Sequence, residues 1–333
     1  MRSKTSSNSG APLRGLVVGI KAAVTIGLLV YLFLRGDMSA ALAHMPQGNT
    51  LELMTGLAVL GAQPILGIVR WQFIFRRLGQ HIPLGAVARW TYISTFFSQI
   101  LPATVGADAV RIWQTYRSGY PARLALNSVG LDRILMGFSL VVLLGCAAPW
   151  LGEILQQNHL QFLLPVIAVG ACTGLCCVML ADRAPTSWRR FRFVRGIGNL
   201  AEDARRLFLS PKCALPLLAL SLLSYLNITL SVYLFAESFG AGVGFFQFSI
   251  LLTPVLVAST IPISIGGWGT REVAMIASLG TVGIPAHIAI LASVWLGIGS
   301  IMISLPGAIA FLLGHAQSSR LFPSSHKSCR TST

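Results

Sequence analysis

Apolar residues run along this chain in long bands, several of them close to twenty residues in length. Bands of this length that are apolar all round are membrane spans or deeply buried helices. Windows of about 19 residues predict six full spans: Leu16 to Leu34, Leu51 to Val69, Ile134 to Leu151, Phe162 to Leu180, Ala214 to Phe235 and His287 to Leu313. Two further bands, Ala86 to Leu101 and Phe246 to Ile263, each run into a segment rich in Pro and Gly. The stretch beyond each band is too short or too charged for a second crossing, so each is expected to dip into the membrane and return to the side it left.

Composition agrees. Of 333 residues, 54% are apolar and 11% are charged, against roughly 25% charged in soluble domains. The mean hydropathy is +0.72. Too few charges exist to cover a soluble enzyme of this size, and disordered, collagen-like and disulfide-scaffold classes fall with it.

The basic excess, 25 Lys+Arg against 10 Asp+Glu, reads as orientation. With six crossings and two re-entrant segments, 22 of the 25 basic residues lie on one side, and the positive-inside bias makes that side cytoplasmic, with both termini inside. If Ala86 to Leu101 crossed fully, the eight basic residues between Arg183 and Lys212 would face outward. Trp71, Trp90, Trp113 and Trp188 are then expected near the inner interface as an aromatic belt. In the second dip, Gly283-Ile284-Pro285 is the natural turn, which leaves Val273 to Val282 as a half-helix.

The two breaks align with each other. Residues 101 to 111 read LPATVGADAVR and residues 261 to 271 read IPISIGGWGTR, offset by 160 without a gap. Shifting the second and third spans by 160 brings them onto the fifth and sixth. Each half then holds three crossings and one re-entrant segment, and an odd number of crossings gives the halves opposite orientation. The fold expected is an all-α polytopic membrane protein, an inverted repeat of six full spans and two re-entrant broken helices. Its parts are a cytoplasmic tail over 1–14, a transmembrane domain over 15–314 with halves of about 15–155 and 160–314, and a disordered cytoplasmic tail over 315–333. Inverted repeats are a plan of secondary transporters, whose sites lie on discontinuous helices.

Non-helical backbone at membrane depth persists only inside protein or beside water. Pro102 and Pro262 remove donors, and Gly106, Gly266, Gly267 and Gly269 permit tight turns, so these residues mark the helix breaks. The breaks carry Asp108 and Arg111, and Arg271 and Glu272. Each charge near the bilayer centre costs roughly 2.5 to 3.5 kcal/mol, so these four must pair or line a polar cavity. Either they are salt bridges that lock the re-entrant tips, or they line a cavity for a polar, phosphate-bearing headgroup, since Arg forks match phosphate and helix N-termini favour anions. Asp108 or Glu272 as a proton carrier is a further option. Arg70 and the pair Asp132-Arg133, which opens the third span, are secondary polar candidates.

Other chemistry is thin. Cys172, Cys176 and Cys177 sit inside one span and read as packing residues, the six His show no i,i+4 pair for zinc, and no Gly-Lys pair exists for a nucleotide loop. No metal or cofactor is expected, and nucleic acid is an unsuitable partner for basic residues confined to short loops. The start of the chain imitates a signal peptide, but a 19-residue core is long for one, so an uncleaved first span is expected.

With these residues in view, the chain resembles the flippase-like transmembrane family that includes the membrane domain of bacterial lysylphosphatidylglycerol synthases and related hopanoid-associated and uncharacterised proteins. The resemblance spans roughly residues 15 to 314. It rests on Arg70-Trp71, LPATVGADAVR at 101 to 111, Asp132-Arg133, and PISIGGWGTRE at 262 to 272, the last being the most specific. Ala107 departs from the family's second glycine before its aspartate. No cytosolic aminoacyl-transferase domain is expected from these residues, so synthase activity is not transferred and the chain is expected to be non-enzymatic. The resemblance implies lipid translocation in the bacterial inner membrane, with Asp108, Arg111, Arg271 and Glu272 as the matching polar positions. Membrane lipids are the partners expected, while a lipid synthase partner and a homo-oligomer stay open. The competing expectation is a membrane-embedded lipid-modifying enzyme or an accessory scaffold for a soluble synthase.

Overall fold

The computed structural model describes residues 37–100, 104–154, 192–260 and 268–321, with isolated positions from 27 to 31. Among the described residues the chain is all-α, with no strand. The expected spans Leu16 to Leu34 and Phe162 to Leu180 fall almost wholly outside them, as do Pro102, Pro262, Gly266, Gly267, Trp188 and residues 322–333.

Helix α1 covers Asp37–His44. Helices α2, Thr50–Gly61, and α3, Gln63–Arg77, form a single span. The Asn49 side chain accepts the Leu51 N–H at 3.1 Å and caps α2. Pro64 stands in the first turn of α3, where its missing N–H costs nothing. Arg76 and Arg77 close α3, and Gly79 turns the chain at φ 77°. Next come α4, Leu84–Ile100, α5, Thr104–Arg117, and the long α6, Ala122–Ile154. Helix α7, Arg192–Phe208, is amphipathic: Ala201, Ala204 and Leu207 are buried, while Arg206 faces outward. Helix α8 covers Pro211–Glu237, α9 Phe245–Thr260, α10 Thr270–Leu279 and α11 Ala286–Leu321. A short 3-10 turn, Gly280–Val282, and Gly283 at φ 83° end α10 at the expected turn.

Among the described residues four helices are long and apolar enough to cross a membrane: Thr50–Arg77, Ala122–Gly152, Pro211–Glu237 and Ala286–Leu313. They coincide with the second, third, fifth and sixth expected spans. The third starts earlier than the hydropathy window at Ile134, because Ala122 to Arg133 is polar in part yet still helical. Asp132 therefore does not stand at the start of its helix. It is the eleventh residue of α6, about 15 Å along the helix at 1.5 Å per residue.

The packing inverts the habit of soluble proteins. Leu223, Leu226 and Leu230 of α8 and Ile301, Met302, Leu305 and Ile309 of α11 are exposed, whereas Ser139, Ser221, Ser231 and Ser293 are completely buried. Lipid tails satisfy leucine as well as a protein core does, so small residues that let helices approach go inside. Several of these hydroxyls donate to the carbonyl one turn back, as Ser139 does to Leu135 and Ser221 to Leu217. Glycines serve the same purpose: a Cβ on Gly307 of α11 would collide with the Tyr92 carbonyl of α4.

Several apolar clusters hold the helices, two of them at the breaks. One gathers Phe235, Phe248, Leu251, Met275 and Leu279 from α8, α9 and α10. The other gathers Trp71, Phe75, Val87 and Trp90 from α3 and α4. Trp71 and Trp90 are thus core residues, at 0% and 6% exposure, and not members of a lipid-facing belt; Trp90 of α4 meets the Trp71 and Phe75 rings of α3 edge-on and fixes the two helices together.

Candidate functional site

Helix α3 buries one face, and Arg70 lies on it beside Trp71. At 5% exposure, Arg70 needs acceptors. Its Nε donates to Asp132 Oδ1 at 2.6 Å, its Nη2 to Oδ2 at 3.4 Å, and its Nη1 to the Ser224 hydroxyl of α8 at 3.1 Å. Arg111 comes to the same carboxylate from α5, its Nη1 donating to Asp132 Oδ2 at 3.0 Å and its Nε to the Ser94 hydroxyl at 3.3 Å. The Arg111 guanidinium also lies over the Trp71 ring at 4.8 Å. One carboxylate therefore serves two arginines, and α3, α4, α5, α6 and α8 meet at it.

The neighbouring charges exchange partners. Asp108 and Arg111 stand three apart on one turn of α5, yet they do not bond each other. Asp108 receives a bidentate pair from Arg133, at 2.7 Å on each oxygen, while Arg111 takes Asp132. This crossed pattern ties α5 to α6. The Arg133 side chain is 44% exposed, so this pair lies at the wet edge of the network.

The second break is built differently. Gly269, at φ 87°, precedes α10, and its N–H donates to Glu272 Oε2 at 2.6 Å. Only glycine adopts that backbone without strain. Arg271 Nε donates to the Ser293 hydroxyl at 2.6 Å, and its Nη2 reaches the Ser293 carbonyl at 2.8 Å and Glu272 Oε1 at 3.2 Å. The Ser293 hydroxyl in turn donates to Glu272 Oε1 at 2.6 Å. Trp268 stacks over Arg271 at 5.1 Å, and a Cβ on Gly297 would strike its ring at 2.5 Å. Glu272 is fully buried and both its oxygens are occupied.

A cavity of about 200 Å³ opens beside Arg70 and Arg111. Its polar lining includes Thr91, Thr95, Gln63, Ser224 and Ser300. A larger groove of about 480 Å³, beside Arg77, Arg123 and Arg206, is a solvated surface feature, since those three arginines are exposed and the Arg123 pairs are long, at 3.9 Å. Among the described residues no group of three His, Cys, Asp or Glu is arranged to hold a metal.

Of the expected polar positions, Arg111 lines the cavity, Asp108 lies at the edge of the network, and Arg271 and Glu272 form a separate closed cluster. Gly106 falls in the first turn of α5, and Gly269 caps α10. Arg70 and Asp132, secondary in the sequence, are the hub. Ser94, Thr91 and Ser224 give no signal of their own in the sequence, because isolated hydroxyls in apolar helices are common and only packing shows which of them face a charge.

Residues 16–307 match the family model described as lysylphosphatidylglycerol synthase TM region. No curated protein matches the chain.

Proposed function

The chain belongs to the lysylphosphatidylglycerol synthase transmembrane-region family, and from that premise we propose that it is a lipid transporter that passes a polar headgroup across the bilayer while the acyl chains stay in hydrocarbon. The observation that carries this reading is the polar cavity among apolar spans, with Arg70 and Arg111 on its wall. Charges at such depth are costly and mark substrate pathways. The protein is an inner-membrane protein with both termini cytoplasmic, six crossings and two re-entrant segments. Asp108, Arg271 and Glu272 hold the breaks in shape around that path.

Alternating access of two inverted halves supplies the movement. Helix bounds support it. Shifted by 160, Thr50–Arg77 becomes 210–237 against Pro211–Glu237, and Leu84–Ile100 becomes 244–260 against Phe245–Thr260. Both breaks fall between helices that pack on each other, α4 on α5 and α9 on α10.

The test is reconstitution of the purified chain in vesicles carrying headgroup-labelled lipids, read by loss of label to an impermeant quencher. Wild type accelerates the loss and Arg111→Ala slows it. Rates equal to empty vesicles across anionic, aminoacylated and isoprenoid lipids end the transport reading. For orientation, single cysteines at Ser118 and Val243 label from inside and outside respectively, and labelling from one side ends the inverted repeat.

A further inference from the structure

Shifted by 160, α6 falls on α11, and each of the two carries another helix packed near its start. On α6 that helix is α7: Leu131 gathers with Ala204 and Leu207, and the Asn127 amide donates to the Asp203 carboxylate. On α11 it is α1: Leu291, the counterpart of Leu131, gathers with Ala41 and Ile290, with Met45 and Ile276 of α10 around them. The counterpart of Asn127 is His287. Its ring stacks on that of His44 at the end of α1, with centroids 4.6 Å apart and planes 25° from parallel. One strap is thus pinned by an amide and a carboxylate, the other by two imidazoles.

The two pins differ in how they titrate. An amide does not titrate and a carboxylate stays ionised down to about pH 4, whereas imidazole titrates near pH 6.5. Neutral imidazoles stack as flat rings, but two imidazolium rings at 4.6 Å repel each other. The docked strap therefore holds fewer protons than the released one, so docking is favoured above the ordinary imidazole range and lost as pH falls below it. Other charges near this end are engaged elsewhere. Asp37 opens α1 seven positions before His44, about 10 Å along the helix. Glu52 of α2 and Glu237 of α8 face Tyr233, and Arg271 and Glu272 of α10 are closed on each other and on Ser293. Ala41 of α1 is buried in the contact while Leu42 and Ala43 are exposed, so the apolar hold is small and the histidine pair decides whether α1 stays.

We propose that α1 is a strap on the outer ends of α10 and α11, docked while His44 and His287 are neutral and released when acid outside protonates both. The inference rests on the orientation given above, in which this end faces outward. In the transport reading α10 is an arm of the second break. Release of α1 frees that arm and the start of α11 to move, and acid outside speeds transport. The inner strap, α7, stays in place over the same range.

Thiol labelling and hydrogen exchange on the full chain test this. In vesicles, Ala41→Cys is shielded from an impermeant maleimide at about pH 8, and its labelling relative to the exposed Ala43→Cys rises roughly tenfold at about pH 5. In the unaltered chain the amides of α1 lose protection against hydrogen exchange by a similar factor, once the intrinsic rate is corrected for pH, while those of α7 keep theirs. His287→Phe retains a stacked ring that cannot be protonated and holds α1 docked at both pH values, and His44→Phe does the same. Equal protection of α1 at both pH values in wild type overturns the strap. A pH response that survives both phenylalanine variants overturns the histidine pair as its trigger. Labelling of both cysteines from the cytoplasmic side only overturns acid outside as the signal. Neither measurement needs lipid to move, so the transport reading is judged separately. No lipid movement at any pH ends that reading and leaves the strap supported by the labelling, whereas wild-type movement that ignores external acid, with α1 released, overturns the strap as a gate.

Discussion

Arg111 and Arg271 stand 160 residues apart at matching places in two helix–break–helix units, and each lies over a tryptophan, yet they come to different ends. Arg271 meets a carboxylate one residue away, Glu272, and a serine, Ser293, which also bonds that carboxylate. Charge is balanced and Glu272 is fully buried with both oxygens bonded. Arg111 must share Asp132 with Arg70 and keeps part of its fork unused beside a cavity. A closed cluster of this kind stiffens a break. An unbalanced one is poised to receive something. The difference comes from several paired positions: shifted by 160, Arg70 meets Leu230, Asp132 meets Ala292, Arg133 meets Ser293, and Ile112 meets Glu272.

The comparison can be broken at several points. The largest effect is expected from Asp132→Ala, which leaves two nearly buried arginines unpaired; such losses cost about 3–5 kcal/mol, and the purified variant should show a steep fall in melting temperature. If it melts with wild type, Asp132 is not the hub. Second is the contrast between Arg111→Gln and Arg271→Gln. The first should cut transport of anionic lipid at least tenfold, while the second should lower stability and leave the ratio of anionic to uncharged transport as in wild type. A changed ratio in Arg271→Gln would erase the distinction between the two breaks.

Smaller effects sharpen it. Ser293→Ala removes the hydroxyl that links Arg271 to Glu272 and should cost about 1–3 kcal/mol, the penalty for a buried acceptor left short, read by thermal unfolding in detergent. Arg133→Ala breaks a bidentate pair that is half in solvent; exposed pairs are worth about 0–1 kcal/mol, and chemical unfolding should detect little. Gly67→Ala has the least effect on folding, since the new Cβ makes only 4.0 Å contacts, and alanine in a helix gains about 0.5–1 kcal/mol over glycine. It should nonetheless slow anionic transport severalfold. Unchanged transport at equal or higher stability would show that the gap between Arg111 and Thr91 is not on the path.

Much of the helical framework is legible in the sequence. Four of the expected spans coincide with helices, because twenty apolar residues in a row declare themselves without reference to anything else in the chain. The end of α10 at Gly283 is legible for a similar reason, since a glycine and a proline two residues apart end a helix locally. The start of α6 is not, because hydropathy counts Asn127, Asp132 and Arg133 as signs of water when packed helices can supply their partners. Trp71 misleads in the same way: an interfacial tryptophan and a core tryptophan under an arginine are indistinguishable until the helix face is known. The site is half legible. Asp108, Arg111, Arg271 and Glu272 stand out as charges in apolar surroundings, but nothing local says that Asp108 belongs to Arg133 and Arg111 to Asp132, or that one of the two repeat-related arginines is balanced and the other is not.

The sequence by itself determined the class of the protein, an all-α membrane protein of a recognisable family, and the spacing of its two breaks, because hydrophobic transfer and the backbone limits of Pro and Gly act over a few residues at a time. Tertiary structure alone decided which charges meet. Arg70 and Asp132 are 62 residues apart and Ser224 lies 154 residues from Arg70, so their contact exists only once α3, α6 and α8 have packed, and the low dielectric created by that packing is what makes a single surplus charge matter.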